Sequence, residues 1–209
     1  MGQSGGMDFQ QVVDRRRMFR RYDTTRPVPR EVVERIVRNA LRAPSAGFSQ
    51  GSGFLVLDTP SDVARFRRAV TPDRGAENWF AAEVDAPLLI VPLSNKDTYL
   101  DRYAMPDKGF TDRSDAWWSA PYWDIDAGFS SLLVLLTAVD EGLGACFFGM
   151  PIDRIGAFRD AFGVPPEFTP IGAVSVGYPD EPPRDLSARR RPVEELVRHG
   201  RWDGEPTSG

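Results

Sequence analysis

Residues 15–22 of the chain read RRRMFRRY. Together with Asp14 this stretch holds five arginines and one acidic residue, a local charge of +4 in a chain of 209 residues whose net charge is -4. A second cluster, Arg189, Arg190 and Arg191, lies near the other end. Arginine stays protonated and forms bidentate contacts with phosphate oxygens, so two clusters in an acidic chain favour a specific anion site. Solvated surface arginines are the alternative.

Composition excludes several other classes of function. An acidic balance does not fit a nucleic-acid binder. The single cysteine, Cys146, and the single histidine, His199, cannot form an intramolecular disulfide or a zinc site of several Cys and His ligands. We expect Cys146 in the core and His199 on the surface. The apolar stretch 127–139 is well short of the roughly 20 residues of a membrane helix, so we expect a cytoplasmic protein with no membrane segment.

Hydrophobic periodicity predicts alternating helices and strands in one domain. Helices are expected at residues 8–14, 30–43, 60–70, 125–141, 151–162 and 193–197, and strands at 54–57, 88–93, 143–148 and 173–178. The predicted strand at 88–93 is apolar throughout and therefore buried on both faces, ending near Pro92. Such a mixture indicates an α+β or α/β fold. The expected boundaries are a flexible leader at 1–7, the domain at 8–203 and a tail at 204–209.

Two segments of this domain are unusual. The predicted helix 125–141 is apolar on every side, with one stripe formed by Ile125, Phe129, Leu132, Leu133, Leu136 and Val139. A helix of that kind has to be buried all round, which predicts a position between the sheet and a partner subunit, and so a homodimer. Residues 95–123 are polar, rich in aromatic side chains and poorly periodic. We expect them to form an irregular lid or insertion, the alternative being a surface excursion that packs its own aromatic rings.

Several motifs, in this order, resemble the FMN-dependent nitroreductase family. They are the 16–22 segment, Pro27-Val28-Pro29, Pro44-Ser45-Ala46-Gly47-Phe48-Ser49-Gln50, Gly142-Leu143-Gly144-Ala145-Cys146, Pro170-Ile171-Gly172 and Arg189-Arg190-Arg191-Pro192. The resemblance spans almost the whole chain. It implies an α+β homodimer with an extended interface, in which helices flank a central mixed sheet and two FMN sites lie between the subunits.

The resemblance also implies site residues. Arg16, Arg17, Met18 and Arg20 are expected near the FMN phosphate, ribityl chain or ring, and Arg189 and Arg191 complete the phosphate site. Pro44, Ser45, Ala46, Phe48 and Gln50 are expected in the loop that the partner lays against the flavin, and Gly142, Leu143 and Gly144 bring backbone groups to its ring. Aromatic residues are expected to contact the substrate: Phe48, Tyr99, Tyr103, Trp117, Trp118 and Trp123.

The implied activity is ping-pong hydride transfer, in which NADH or NADPH reduces FMN and a small acceptor such as a nitroaromatic or quinone is then reduced. No catalytic side chain or metal is expected, because the cofactor carries the chemistry. The sequence departs from the family pattern at Met18, at Phe48 and at Gly51-Ser52. One alternative is a flavin-storage protein without turnover. A second is a flavin-cleaving enzyme, whose loop Gly47-Phe48 resembles. A third is a reductive dehalogenase, to whose Glu, Tyr and Lys lid the residues Lys96, Tyr99 and Lys108 bear only a weak resemblance.

Overall fold

The computed structural model describes residues 7–71, 85–110 and 112–203. Residues 1–6 of the predicted leader, the predicted tail at 204–209 and Thr111 of the predicted lid lie outside the described residues. The helices are α1 (Phe9–Arg15), α2 (Arg30–Ala40), α3 (Pro60–Val70), α4 (Lys96–Tyr103), α5 (Tyr122–Asp140), α6 (Ile155–Phe162) and α7 (Val193–Leu196). The strands are β1 (Ser52–Leu57), β2 (Leu88–Ser94), β3 (Gly144–Phe148), β4 (Thr169–Pro170) and β5 (Ala173–Gly177).

The strands form one sheet in the order β1-β2-β5-β3, with β4 paired to β2. Its ladders are antiparallel, and in register Leu55 faces Val91, Ile90 faces Val174 and Cys146 faces Ser175. The α+β fold class is confirmed. The expected mixed sheet is reduced, within the described residues, to a single parallel bridge between Met18 and Ala145.

Strand β2 runs through the centre of the molecule. Leu88 and Ile90 pack on one face against α2 and α5, and Leu89 and Val91 pack on the other face against α3 and α6. All four side chains are fully buried, as the apolar run predicted. Because side chains alternate across a strand, one apolar segment supplies both cores. Each fully buried leucine or isoleucine of this kind contributes about 1.5–3 kcal/mol to folding.

Strand β2 continues two residues past Pro92 to Ser94, one residue beyond the predicted range of 88–93. Pro92 lies between the residues that pair with β5 and those that pair with β4. Its carbonyl oxygen accepts a hydrogen bond from the Ile171 amide at 3.2 Å. A proline lacks an N–H group, and at this gap between two short ladders the missing donor interrupts neither of them.

Residues 96–103 also differ from the prediction, because they form the regular helix α4 in the segment that was expected to be irregular. The Asn95 side chain caps this helix by accepting a hydrogen bond from the Thr98 amide at 3.1 Å. Tyr99 and Leu100 are its buried residues. With so few apolar positions, α4 has little of the periodicity by which helices are recognised in sequences.

Helix α5 packs against α2 and the sheet, but with a different face from the predicted stripe. Val134, Leu135 and Ala138 are buried, whereas Phe129 and Leu132 remain 45% and 46% exposed. By length and composition α5 could span a membrane, yet half of its apolar window is buried inside the protein. Its contacts with α2 and the sheet are those of a core helix.

Candidate functional site

The arginine segment runs beside the edge strand β3. The Phe19 amide donates to the Ala145 carbonyl at 3.1 Å, next to the bridge between Met18 and Ala145. Met18 packs against the core under α2 and α5, and Phe19 packs against the core under α3 and α6. These apolar neighbours anchor the backbone beside β3. Arg16, Arg17 and Arg20 are thereby held half-buried at one side of the sheet.

The chain returns from β5 directly across this segment. Tyr22 forms an antiparallel bridge with Pro179, and the Asp180 amide donates to the Arg21 carbonyl at 3.0 Å. The Glu181 carboxylate accepts hydrogen bonds from the backbone amides of Arg20 and Arg21 at 2.6 and 3.2 Å. Residues 184–190 are therefore fixed close to the arginines of the first segment, although more than 160 positions separate them in sequence.

The two basic clusters meet around one cavity of about 350 Å³. It is lined by Arg16, Arg17, Met18, Arg20, Arg184, Asp185, Leu186, Ser187, Arg189 and Arg190. Within the described residues, the guanidinium groups of Arg16, Arg17, Arg184, Arg189 and Arg190 form no ion pair with a carboxylate. Six arginines thus face one acidic side chain. Such a concentration of uncompensated positive charge is stabilised by binding an anion.

Asp185 is the acidic residue that lines the arginine cavity, and its carboxylate carries a negative charge. The backbone amide of Ser187 donates to the Asp185 carboxylate at 2.9 Å. Hydrogen bonds from the Ser187 amide and hydroxyl lower the pKa of Asp185, and the charge of Arg17 lowers it further. One negative charge offsets only a fraction of the arginine charge.

The cavity differs from the predicted phosphate site at three positions. Arg191 is not part of its lining, because its guanidinium pairs with Glu195 one helical turn away at 3.0 Å. Arg190 takes a place in the cavity instead. Arg184 also lines it, and sequence reasoning missed this residue because it stands alone among prolines and acidic residues.

Residues 142–144 have a structural role in this chain and do not line the arginine cavity. Gly142, with φ at 71°, follows the end of α5, and Leu143 is buried in the core. A Cβ atom on Gly144 would lie 2.8 Å from the Phe19 ring. Close packing against the arginine segment thus accounts for this glycine. Their expected contact with the flavin ring stays a prediction.

The loop of residues 44–50 borders a second cavity, of about 130 Å³. It is lined by Ala40, Leu41, Ala43, Pro44, Ser45, Gln50, Ser52, Phe54 and Ser130. No residue is common to this cavity and the arginine cavity. Arg16, Arg17, Met18, Arg20 and Arg189 of the predicted cofactor residues line the arginine cavity, and Pro44, Ser45 and Gln50 line the second one. The remaining predicted cofactor residues line neither cavity: Ala46, Phe48, Gly142, Leu143, Gly144 and Arg191.

The aromatic residues of 95–123 pack mainly against one another, as the alternative prediction had it. Trp118 contacts Tyr99, Tyr103 and Trp123, with ring centroids 6.1, 4.5 and 5.8 Å away. Tyr99 is fully buried, so the expectation that it forms an open substrate wall is corrected. Trp117 is 60% exposed.

The two lysines of the dehalogenase-like pattern are engaged inside the same segment. Lys96 forms an ion pair with Asp115, and the Lys108 ammonium lies 5.0 Å from the centre of the Tyr103 ring. Elsewhere, Cys146 is buried and His199 is exposed, as predicted.

Comparison with known proteins shows the family of this chain. The model of the Nitroreductase family matches residues 13–178, from the arginine segment to the end of the last strand. The chain belongs to the nitroreductase family. A relative from Methanothermobacter thermautotrophicus, named "Putative NADH dehydrogenase/NAD(P)H nitroreductase", is 29% identical over 189 residues, which cover 88% of this chain and 85% of the relative.

Solved structures share the fold of this nitroreductase-family chain. A nitroreductase family protein from Clostridium difficile 630 superposes with a TM-score of 0.71 at 22% identity, covering 93% of this chain and 99% of the other. A "putative nitroreductase in complex with FMN" from Exiguobacterium sibiricum 255-15 gives a TM-score of 0.69 at 22% identity, covering 92% and 97%. At these sequence identities the structural similarity establishes the fold of the chain.

Proposed function

We propose that this chain is an FMN-dependent oxidoreductase that takes electrons from NADH or NADPH and reduces small acceptors such as nitroaromatics and quinones. The observation that carries the proposal is the cavity lined by six arginines, five of which have no carboxylate partner among the described residues. The donor set suits a phosphate group, since guanidinium groups bind phosphate oxygens in pairs. When bound, FMN supplies the hydride chemistry that none of these side chains can provide.

Arginines from both ends of the chain contribute to the proposed phosphate site. Arg16, Arg17 and Arg20 hold the phosphate from the amino-terminal side, and Arg184 and Arg189 hold it from the carboxy-terminal side. Their permanent charge keeps the site complementary to a dianion at every working pH. The proposed order is ping-pong, in which the nicotinamide donor leaves before the acceptor enters the same space.

We further propose that the functional unit is a homodimer. The 44–50 loop lies apart from the arginine cavity, so a second copy is needed to bring it to the cofactor. Large apolar side chains are exposed at Phe129 and Leu132 on α5 and at Leu41, directly after α2. The carboxy-terminal segment adds more: Leu186, Val193, Leu196, Val197 and Trp202. Exposed apolar surface of this extent is typical of an interface between subunits.

Steady-state assays of the FMN-loaded protein test this function. We expect oxidation of NADH or NADPH that depends on an added quinone or nitroarene, with parallel lines in double-reciprocal plots. FMN binding without any donor oxidation contradicts the enzymatic proposal and favours flavin storage. Loss of the bound flavin with formation of a ring-cleaved product contradicts it in favour of a flavin-cleaving enzyme.

A further inference from the structure

The 45–51 loop is held in an unusual backbone conformation. Gly47, Phe48 and Gln50 have φ angles of 62°, 55° and 56°, in the left-handed region that favours glycine. Two of these three residues carry side chains, and such strain persists only where the surroundings hold it in place. Packing of the Phe48 side chain does not offset the free-energy cost of the left-handed conformation, because this side chain is 76% exposed. A strained residue that displays a large apolar ring to solvent points to a role outside its own core.

Helix α4 fixes this loop from one side. Arg102 Nε donates a hydrogen bond to the Gly47 carbonyl at 3.1 Å. The other two nitrogens of the same guanidinium bind the Asp107 carboxylate, each at 2.8 Å, which sets its orientation. A Cβ atom on Gly47 would lie 2.6 Å from the Tyr103 ring, so the helix and the loop backbone are in close contact.

A buried carboxylate fixes the loop from below. Asp126 Oδ2 accepts hydrogen bonds from the Ala46 amide at 2.8 Å and from the Tyr99 hydroxyl at 2.9 Å. Burial raises the pKa of Tyr99, and the adjacent Asp126 raises it further, so the hydroxyl remains a donor. At the far end of the loop, the Asn95 amide donates to the Gly51 carbonyl at 2.8 Å. The loop is thus held at both ends and at its apex.

We propose that α4 and Asp126 form a clamp that holds the 45–51 loop so that Phe48 projects as a fixed aromatic platform for a planar acceptor. Arg102 is then a positioning residue that acts through Phe48. The role of the platform rests on the proposed function, because the acceptor would be bound at the site completed by a second copy. An aromatic face held in advance binds a flat substrate without the entropy cost of ordering the loop.

A double-mutant cycle in the FMN-loaded protein tests the coupling. Arg102→Met keeps the apolar stem and removes the bond to Gly47, and Phe48→Leu removes the ring. We expect Arg102→Met to raise the KM for menadione about tenfold with kcat within about twofold of the parent. In the Phe48→Leu background the same change should alter KM by less than about twofold. Independent, multiplicative effects of the two substitutions would overturn the proposal that Arg102 acts through Phe48.

Arg113→Met is the matched control. Arg113 binds Asp97 and Asp101 on the same helix at 2.7 Å each and makes no hydrogen bond to the loop within the described residues. We expect its menadione KM to match that of the parent protein. A rise equal to that of Arg102→Met would attribute the effect to general loosening of α4 and overturn the clamp.

Proteolysis tests the clamp without reference to activity. Chymotrypsin cleaves after exposed phenylalanines in mobile loops, and the Phe48 cut is identified by the intact mass of the fragments. We expect cleavage of FMN-loaded Arg102→Met at least about tenfold faster than that of the parent or Arg113→Met, because the loop opens more often. Equal rates overturn the clamp. Faster cleavage in a protein that shows no turnover supports the clamp and contradicts the proposed function alone.

Discussion

Replacing both Arg16 and Arg17 with alanine is expected to weaken FMN binding by at least about a hundredfold, because each charge-assisted hydrogen bond to a phosphate contributes roughly 1.5–3 kcal/mol. Arg16 is the C-terminal cap of α1, Arg17 directly precedes the bridge at Met18, and both side chains line the arginine cavity. Neither is in an ion pair within the described residues, so their removal leaves no carboxylate unpaired. Fluorescence quenching of FMN on titration with protein measures the dissociation constant.

The control for this variant removes two arginines from α3. Arg65 and Arg68 are exposed and take no part in the arginine cavity. Arg65→Ala with Arg68→Ala changes the net charge by the same amount and should leave FMN affinity within about twofold, since exposed charges more than about 10 Å apart are largely screened. Equal loss in both double variants would show that net charge, and not the cavity, governs binding.

The second large effect is expected for Leu132→Arg on the exposed face of α5. In a two-fold symmetric interface this change places two like charges in an apolar contact, and it should weaken dimerisation by at least about a hundredfold. Leu132 is exposed in the single chain, so the fold itself should change by less than about 0.5 kcal/mol. Light scattering gives the mass, and the same samples give the FMN affinity.

Ile152→Arg is the control for the interface. Ile152 is 87% exposed and lies in the short 3-10 turn before α6, which packs on the other face of the sheet from α5. This variant should remain dimeric and retain FMN. If Leu132→Arg is also dimeric with full FMN affinity, the proposed interface on α5 is wrong.

How much of the fold the sequence predicts depends on the local signals of each element. Helix α3 begins and ends where expected, because Thr59 caps it by accepting from the Asp62 amide at 3.2 Å and Pro60 occupies its first turn. Helix α4 was missed because its aromatic and charged residues give almost no apolar periodicity. Its detectable signals were the Asn95 cap and Asp97 in the first turn.

Helix α5 shows a different limit of sequence reasoning. Its extent was predicted closely, but a helix that is apolar on all sides does not reveal which side meets the sheet. The predicted stripe contains Phe129 and Leu132, which are exposed here. The buried side instead carries small and polar residues such as Ala127, Ser130 and Ser131, with the two serine hydroxyls bound to helix carbonyls.

The candidate site was predictable in part. Clustered arginines signalled an anion site at both ends of the chain, and the structure brings the two ends around one cavity. Which arginines of the second cluster face the cavity depends on the path of residues 184–190, which no local pattern specifies. No local pattern specifies the left-handed conformation of Phe48 and Gln50 either. The hydrogen bonds of the adjoining Ala46 and Gly47 go to Asp126 and Arg102, which are distant in sequence.

The most direct test of the central claim is the stoichiometry of FMN on the purified protein, from its absorption spectrum after reconstitution and gel filtration. We expect a yellow dimer that retains one FMN per chain and loses it as salt is raised, because phosphate binding by arginines is screened. A colourless protein that binds no FMN after reconstitution would contradict it.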